Sequence, residues 1–241
     1  MSDKTRGIVL QSLRYGDSNL IVKAFTRDSG LKSYMVKGAF NRNAKNRAAF
    51  FQQLNIIEYV EVGNPKQTGL GYLKDVQMAV VYQSLPHVMN KSAIMMYVGE
   101  LLTKTLTEQE RNEPLYDFIE QSLLWLDLAT EGYANFPLYF TLELTRHLGF
   151  YPKTNYSEGS CFDMMEGLFV HDYPAHPYYF DADNAALLSR LIDAGIEEAC
   201  RQPMNVGQRR QLLDGLITFM RLHASVMKSF KSHEVLKMVF E

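Results

Sequence analysis

Cysteine is nearly absent from this 241-residue chain: Cys161 and Cys200 cannot build a disulfide framework, and a reducing cytoplasm suits them best. Long apolar runs are absent too. None approaches the roughly 18–20 residues that span a bilayer as a helix, so no membrane association is expected. The opening Met1-Ser-Asp-Lys-Thr-Arg6 leads into a strand-like segment instead of a signal-peptide core, which does not suggest secretion. Catalytic signatures are missing as well: no G-x-x-x-x-G-K-[ST] loop, no H-E-x-x-H, no G-x-S-x-G. Gly69-Leu70-Gly71 is a lone G-x-G without a following glycine or helix and reads as a strand or bulge pair. The carboxylates are scattered over solvated helix faces, so an enzyme is not expected.

Acid is lacking altogether from Lys37-Gly38-Ala39-Phe40-Asn41-Arg42-Asn43-Ala44-Lys45-Asn46-Arg47, which sets four cations and one aromatic between two strand-like runs. Residues 1–80 hold 12 Lys/Arg against 6 Asp/Glu, whereas 81–241 hold 13 against 21, so a net charge of −2 conceals a polarised molecule. A basic loop on a β-rich module offers mobile cations that release counterions from a phosphate backbone. A merely solvated charged face is the alternative reading.

With 46% hydrophobic and 22% charged residues the chain is globular, long enough for one large domain or two ordinary ones. Residues 6–80 read as β: Ile8–Leu10, Asn19–Thr26, Ser33–Lys37, Phe50–Val62 and a last strand from Leu70 to Val80. Good turn chemistry stands at Tyr15-Gly16-Asp17, Asp28-Ser29-Gly30 and Gly63-Asn64-Pro65-Lys66. Five strands are too few for a sandwich but enough for a small closed barrel, and the OB barrel is the obvious candidate. Helical spacing follows over Ser92–Leu106, a segment from Pro114 through Leu126, Ala134–Leu148 stopping at Gly149, Asn184–Ile196 and Gln208–Leu222. The expected class is therefore α+β, with an OB domain over 1–82 and a helical domain over 83–241. Within the latter, residues 151–183 form an irregular, aromatic-rich stretch too long for a plain connection.

In such a barrel aromatics stack on bases and cations track phosphates. Tyr34 and Phe40 are candidates for stacking, though each suits barrel core equally. Lys32, Lys37, Arg42, Lys45 and Arg47, with Arg14 as a weaker member, are candidates for backbone contacts. No base-reading pattern is visible, so binding is expected to be independent of sequence. Cys161, His171 and His176 lie close in sequence, but C-x9-H-x4-H matches no compact zinc pattern. A buried thiol and two surface histidines are expected there. His147, near the end of its helix, reads as an interface histidine or a C-terminal cation.

The order of Gly7-Ile8-Val9-Leu10, Tyr15-Gly16-Asp17, Ile21-Val22, Gly30 and Lys37-Gly38-Ala39 resembles the opening of the RecO family of recombination mediators. Leu148-Gly149-Phe150-Tyr151-Pro152 resembles that family's L-G-x-x-P segment, and Ser232-His233-Glu234-Val235-Leu236 its C-terminal S-x-x-[FVL]-L. The resemblance implies an OB fold followed by a helical domain, with binding of single- and double-stranded DNA and annealing of complementary strands. It also implies help in loading the RecA recombinase onto coated single strands during gap repair. Its implied partners are RecR, on the OB side, and the acidic C-terminal tail of the single-stranded-DNA-binding protein, on the helical domain. For that tail, Arg146 and His147 beside Phe140, Leu144 and Leu148 are the candidates, with Arg209, Arg210 and Arg221 adding charge. Many family members carry two C-x-x-C pairs after L-G-x-x-P. Here only Cys161 stands in that zinc-knuckle-like module, so no zinc and no other cofactor is expected, and aromatics such as Phe162, Phe169 and Phe180 are expected to consolidate it. The alternatives are an OB-fold RNA-binding module, which prefers structured RNA, and a protein-interaction scaffold, whose DNA affinity ignores reversal of the loop charges.

Overall fold

The computed structural model describes residues 4–40, 47–63, 70–107, 110–224 and 230–239. Five strands, β1 (Lys4–Tyr15), β2 (Asn19–Thr26), β3 (Gly30–Val36), β4 (Ile56–Val62) and β5 (Gly71–Met78), close into a barrel in the order β1-β2-β3-β5-β4. β1 serves two neighbours: Lys4–Ile8 pair antiparallel with β4, and Gly7–Tyr15 with β2. A register shift between Val9 and Gln11 gives this long strand the extra bend that closure requires. The β3–β5 pairing is parallel, with Tyr34 opposite Gly71 and Met35 opposite Tyr72. This is the OB arrangement, and it leaves no open sheet edge.

Alternating residues fill the barrel: Val9, Val22, Ala24, Tyr34, Val36, Ile57 and Tyr59 are buried together with Phe51. Tyr34 and Tyr59 meet edge to face and share a 2.8 Å hydrogen bond between their hydroxyls. A β-carbon on residue 71 would come within 2.9 Å of the Tyr34 ring, so glycine there makes room for the buried tyrosine. Where a continuous strand over Phe50–Val62 was expected, Arg47–Phe51 form a 3-10 turn and β4 begins only at Ile56. Leu54 takes a left-handed φ of 66° at that corner. There Asn55 holds the Ala49 and Phe50 carbonyls through its side-chain amide.

The chain divides into two compact units, residues 1–83 with 101–124, and residues 84–100 with 125–241. α1 (Met89–Thr105) and α2 (Glu113–Leu128) each contribute to both. In the first unit, α2 is fixed to the barrel by charge: Arg6 pairs with Glu120 at 2.9 Å, and Arg27 with Glu113 at 3.0 Å and Asp117 at 3.1 Å. Pro114 occupies the first turn of α2, where a missing N–H costs nothing, and the Asn112 side chain accepts from Leu115 N.

The second unit is built on α3 (Phe136–His147), α4 (Ala182–Leu191), α5 (Ile196–Arg201), α6 (Val206–His223) and α7 (Ser232–Val239). Seven helices stand among the described residues where five were expected. α5 and α7 are the additions, too short at six and eight residues to show periodicity. Gly149, at φ 86°, ends α3 as its position suggested, and Phe150 N donates back to Thr145 O. Buried Lys91 donates to Ser84 Oγ at 2.6 Å and Asp127 O at 2.9 Å, while the Asp127 carboxylate accepts from the backbone N–H groups of residues 84 and 85. That joint ties the entry to α1 to the end of α2.

The stretch after α3 is not irregular throughout. β6 (Cys161–Asp163), β7 (Leu168–Val170) and β8 (Tyr179–Phe180) form a small antiparallel sheet in the order β7-β6-β8. Phe162 at its centre contacts Phe169, Phe180 and Phe219 of α6.

Candidate nucleic-acid interface

One end of the barrel gathers cations and aromatics. The β1–β2 turn, with Gly16 at φ 62°, is tied to the exit of β3 by two hydrogen bonds: Phe40 N to Ser18 O at 3.2 Å and Gly38 N to Asn19 Oδ1 at 3.0 Å. Those bonds bring Arg14, at the end of β1, over the Phe40 ring at 5.1 Å. The Arg14 guanidinium also donates to Asp17 O. One strand across, Lys37 Nζ sits 4.8 Å above the ring of Tyr72, which β5 places beside Met35. Phe40 is 44% exposed and Tyr15, beside Arg14, 55%. Neither Arg14 nor Lys37 has a carboxylate partner among the described residues. The result is two cation–aromatic pairs with exposed apolar surface between strand ends, which suits stacked bases flanked by phosphates.

The remaining sequence candidates fare differently. Tyr34 is a correction: it is fully buried in the barrel, hydrogen-bonded to Tyr59, and unable to meet a base. Burial first, and Tyr59 and Glu61 besides, push its hydroxyl well above the ordinary tyrosine range. Lys32 is held by Glu61 at 3.0 Å on the strand face that carries Tyr34, so its charge is largely answered within the barrel. Arg42 and Lys45 lie outside the described residues, as does the side chain of Arg47. Tyr72 and Tyr15 were not singled out from the sequence. The signal for Tyr72 was its register opposite Met35, which only barrel closure reveals.

In the helical unit Phe140 and Leu144 are a second correction: both are fully buried on α3, which puts them in the core and not in a pocket. Arg146 is exposed but engaged by Glu143 at 3.1 Å and Asp193 at 2.6 Å, with its guanidinium 3.6 Å from the Tyr151 ring centre. His147 is half-buried, and burial lowers its pKa. An apolar pocket lies elsewhere, lined by Pro137 and Leu138 of α3, Val206 and Leu213 of α6, and Leu236 of α7. Arg209, Arg210 and Lys237 line it too. Lys237 pairs with Asp214 at 2.6 Å and Arg210 donates to Lys237 O. Arg209 donates to Met204 O and has no carboxylate partner among the described residues, and burial lowers its pKa.

The residues that stand where a zinc knuckle would begin are directed at separate protein partners. The Cys161 thiol is directed at the Val170 and Asp172 carbonyls, His171 at Ser157, and His176 at Asp163. Among the described residues no three acidic, cysteine or histidine side chains converge. No helix among them is long and apolar enough to cross a membrane.

A closed OB-type barrel with a cation–aromatic end, followed by a helical unit, defines the class. Family models narrow it: the one described as Recombination protein O N terminal matches residues 1–82, and Recombination protein O C terminal matches residues 86–233. The chain belongs to the recombination protein O family. It is similar to proteins named DNA repair protein RecO from Flavobacterium johnsoniae, at 37% identity, Bacteroides fragilis, at 34%, and Phocaeicola vulgatus, at 33%. Each match covers the whole of both chains.

Proposed function

We propose that this chain is a non-catalytic mediator of DNA repair. In this reading it binds DNA at the basic end of its barrel, anneals complementary strands, and assists RecA loading onto single strands coated by single-stranded-DNA-binding protein. The observation that carries the proposal is the pairing of Arg14 with Phe40 and Lys37 with Tyr72 on one exposed end of the barrel. Aromatic faces accept any unpaired base, so binding is sequence-tolerant, while the cations neutralise phosphate. Neutralising one strand reduces its repulsion of a second, which is the physical requirement for annealing. Nothing in this mechanism makes or breaks a bond.

The helical unit supplies the second contact. A peptide ending in acids and a phenyl group needs an apolar pocket flanked by cations, and the α3–α6–α7 pocket with Arg209 answers that description better than Arg146, whose charge two acids already meet. RecR is assigned to the barrel side. Two contacts on one chain raise its effective concentration on a coated strand even when each is weak. The test is the annealing rate of two complementary oligonucleotides, bare or coated. Arg14→Glu with Lys37→Glu should abolish acceleration on both. Arg209→Glu should abolish it only on strands coated by a protein that retains its tail. Acceleration unchanged in the first variant would contradict the assignment.

A further inference from the structure

An open groove of about 650 Å³ lies on the second unit between the end of α2 and α5, distinct from the tail pocket. Trp125 and Leu128 give it an apolar wall, and Leu128 is 68% exposed although it is a large aliphatic residue at a helix end. Glu131 and Glu197 line the same groove, and Glu198 continues it toward Pro203. Arg201 is the cation lining it, and Glu197 engages that side chain at 3.5 Å. Glu131 and Glu198 have no ion pair among the described residues. Behind Cys200, which also lines the groove, Asn135 spends its amide N–H groups on the Ala199, Cys200 and Gln202 carbonyls. Its Oδ1 is left buried without a donor.

We infer that this groove docks a basic, amphipathic segment of a partner protein. Exposed leucine beside a half-buried indole offers an anchor for an aliphatic side chain. The carboxylates around it select arginine or lysine and reject nucleic acid and acidic tails, so the occupant differs from both ligands assigned above. A guanidinium also matches the indole face and the carboxylates together, since it stacks and donates bidentately.

The molecule carries its own reporter, because Trp125 is its single tryptophan. The full chain is titrated with a short acetylated and amidated peptide that alternates leucine and arginine, and Trp125 emission is followed. A saturable shift is expected, weakened about tenfold or more by Glu131→Lys with Glu197→Lys, and weakened also by Leu128→Ser. These positions are exposed, so unchanged circular dichroism confirms that each variant is folded. No shift with the peptide would overturn the inference. Equal affinity for a leucine–glutamate counterpart, or for the charge-reversed variant, would do the same. An equal response to spermidine would assign the groove to small cations. A shift that follows protein concentration alone would assign it to a second copy of this chain. Either result would refute the partner-segment reading.

Discussion

Tyr34 and Tyr72 are the same residue type on neighbouring strands of one barrel, and they have opposite fates. Tyr34 fills the interior against Tyr59, whereas Tyr72 lies under Lys37 at the barrel end. Tyr34→Ala should therefore cost about 3–5 kcal/mol of stability, as for other large buried aromatics, while the folded fraction keeps its DNA affinity. Tyr72→Ala with Phe40→Ala should weaken single-strand binding by about 1–3 kcal/mol per stacked base, with little loss of stability. Denaturant unfolding and DNA titration on both variants separate the two roles. Part of this was legible in the sequence. Side chains alternate along a strand, so Lys32 and Tyr34 must share one face of β3, and Lys32 cannot join an outward set while that tyrosine fills the core. Which face is inward, and that Tyr72 comes beside Met35, depends on closing the barrel with a parallel β3–β5 pair, a non-local event that no local pattern encodes.

At the scale of elements, the small sheet after α3 relies on aromatic packing and on one glycine. Gly215 lies inside α6, where alanine ordinarily favours the helix by up to about 1 kcal/mol. Here a β-carbon would overlap the Phe180 ring and crowd Met164, so Gly215→Ala should destabilise instead. A rise in melting temperature would show that Phe180 moves aside freely. Chelation should leave the melting temperature unchanged, and one tightly bound zinc per chain by metal analysis would contradict the packing account. α7 carries a pH dependence. His233 stacks on Phe230, and burial lowers its pKa from 6.5, opposed by Glu234, with Nδ1 buried and without a partner. The folded state thus prefers the neutral ring. Its contribution is fully present above about pH 6.5 and is lost as pH falls through the lowered folded value, because the unfolded chain takes up the proton first. Stability measured between pH 7.5 and 5 should fall, and His233→Phe should flatten that fall. The five longer helices were legible because each runs at least ten residues with an apolar stripe. Strands of two or three residues and helices of six or eight hold too few repeats for a period: aromatic content alone marked the short strands, and α7 showed only through the resemblance of Ser232–Leu236 to a family motif.

Across the whole molecule, charge is divided: a basic first third and an acidic remainder. That division was visible from composition, and it favours phosphate at the barrel while discouraging it elsewhere. If the barrel end binds DNA as proposed, through electrostatic contacts independent of sequence, affinity for single strands should fall with salt at a logarithmic slope of about −0.7 for each phosphate neutralised. Four phosphates would give a slope near −3, with little change between oligonucleotides of different sequence. The cations expected to contribute are Arg14 and Lys37, seen beside their aromatic partners, together with Arg42, Lys45 and Arg47 of the basic loop. The measurement that tests this most directly is fluorescence anisotropy of labelled single-stranded DNA against salt, for the native chain and for a variant with Lys37, Arg42, Lys45 and Arg47 changed together to Glu. The account predicts steep salt dependence in the native chain and near-complete loss of binding in the variant. Salt-dependent binding that survives the change would place the DNA site away from this end of the barrel and contradict it.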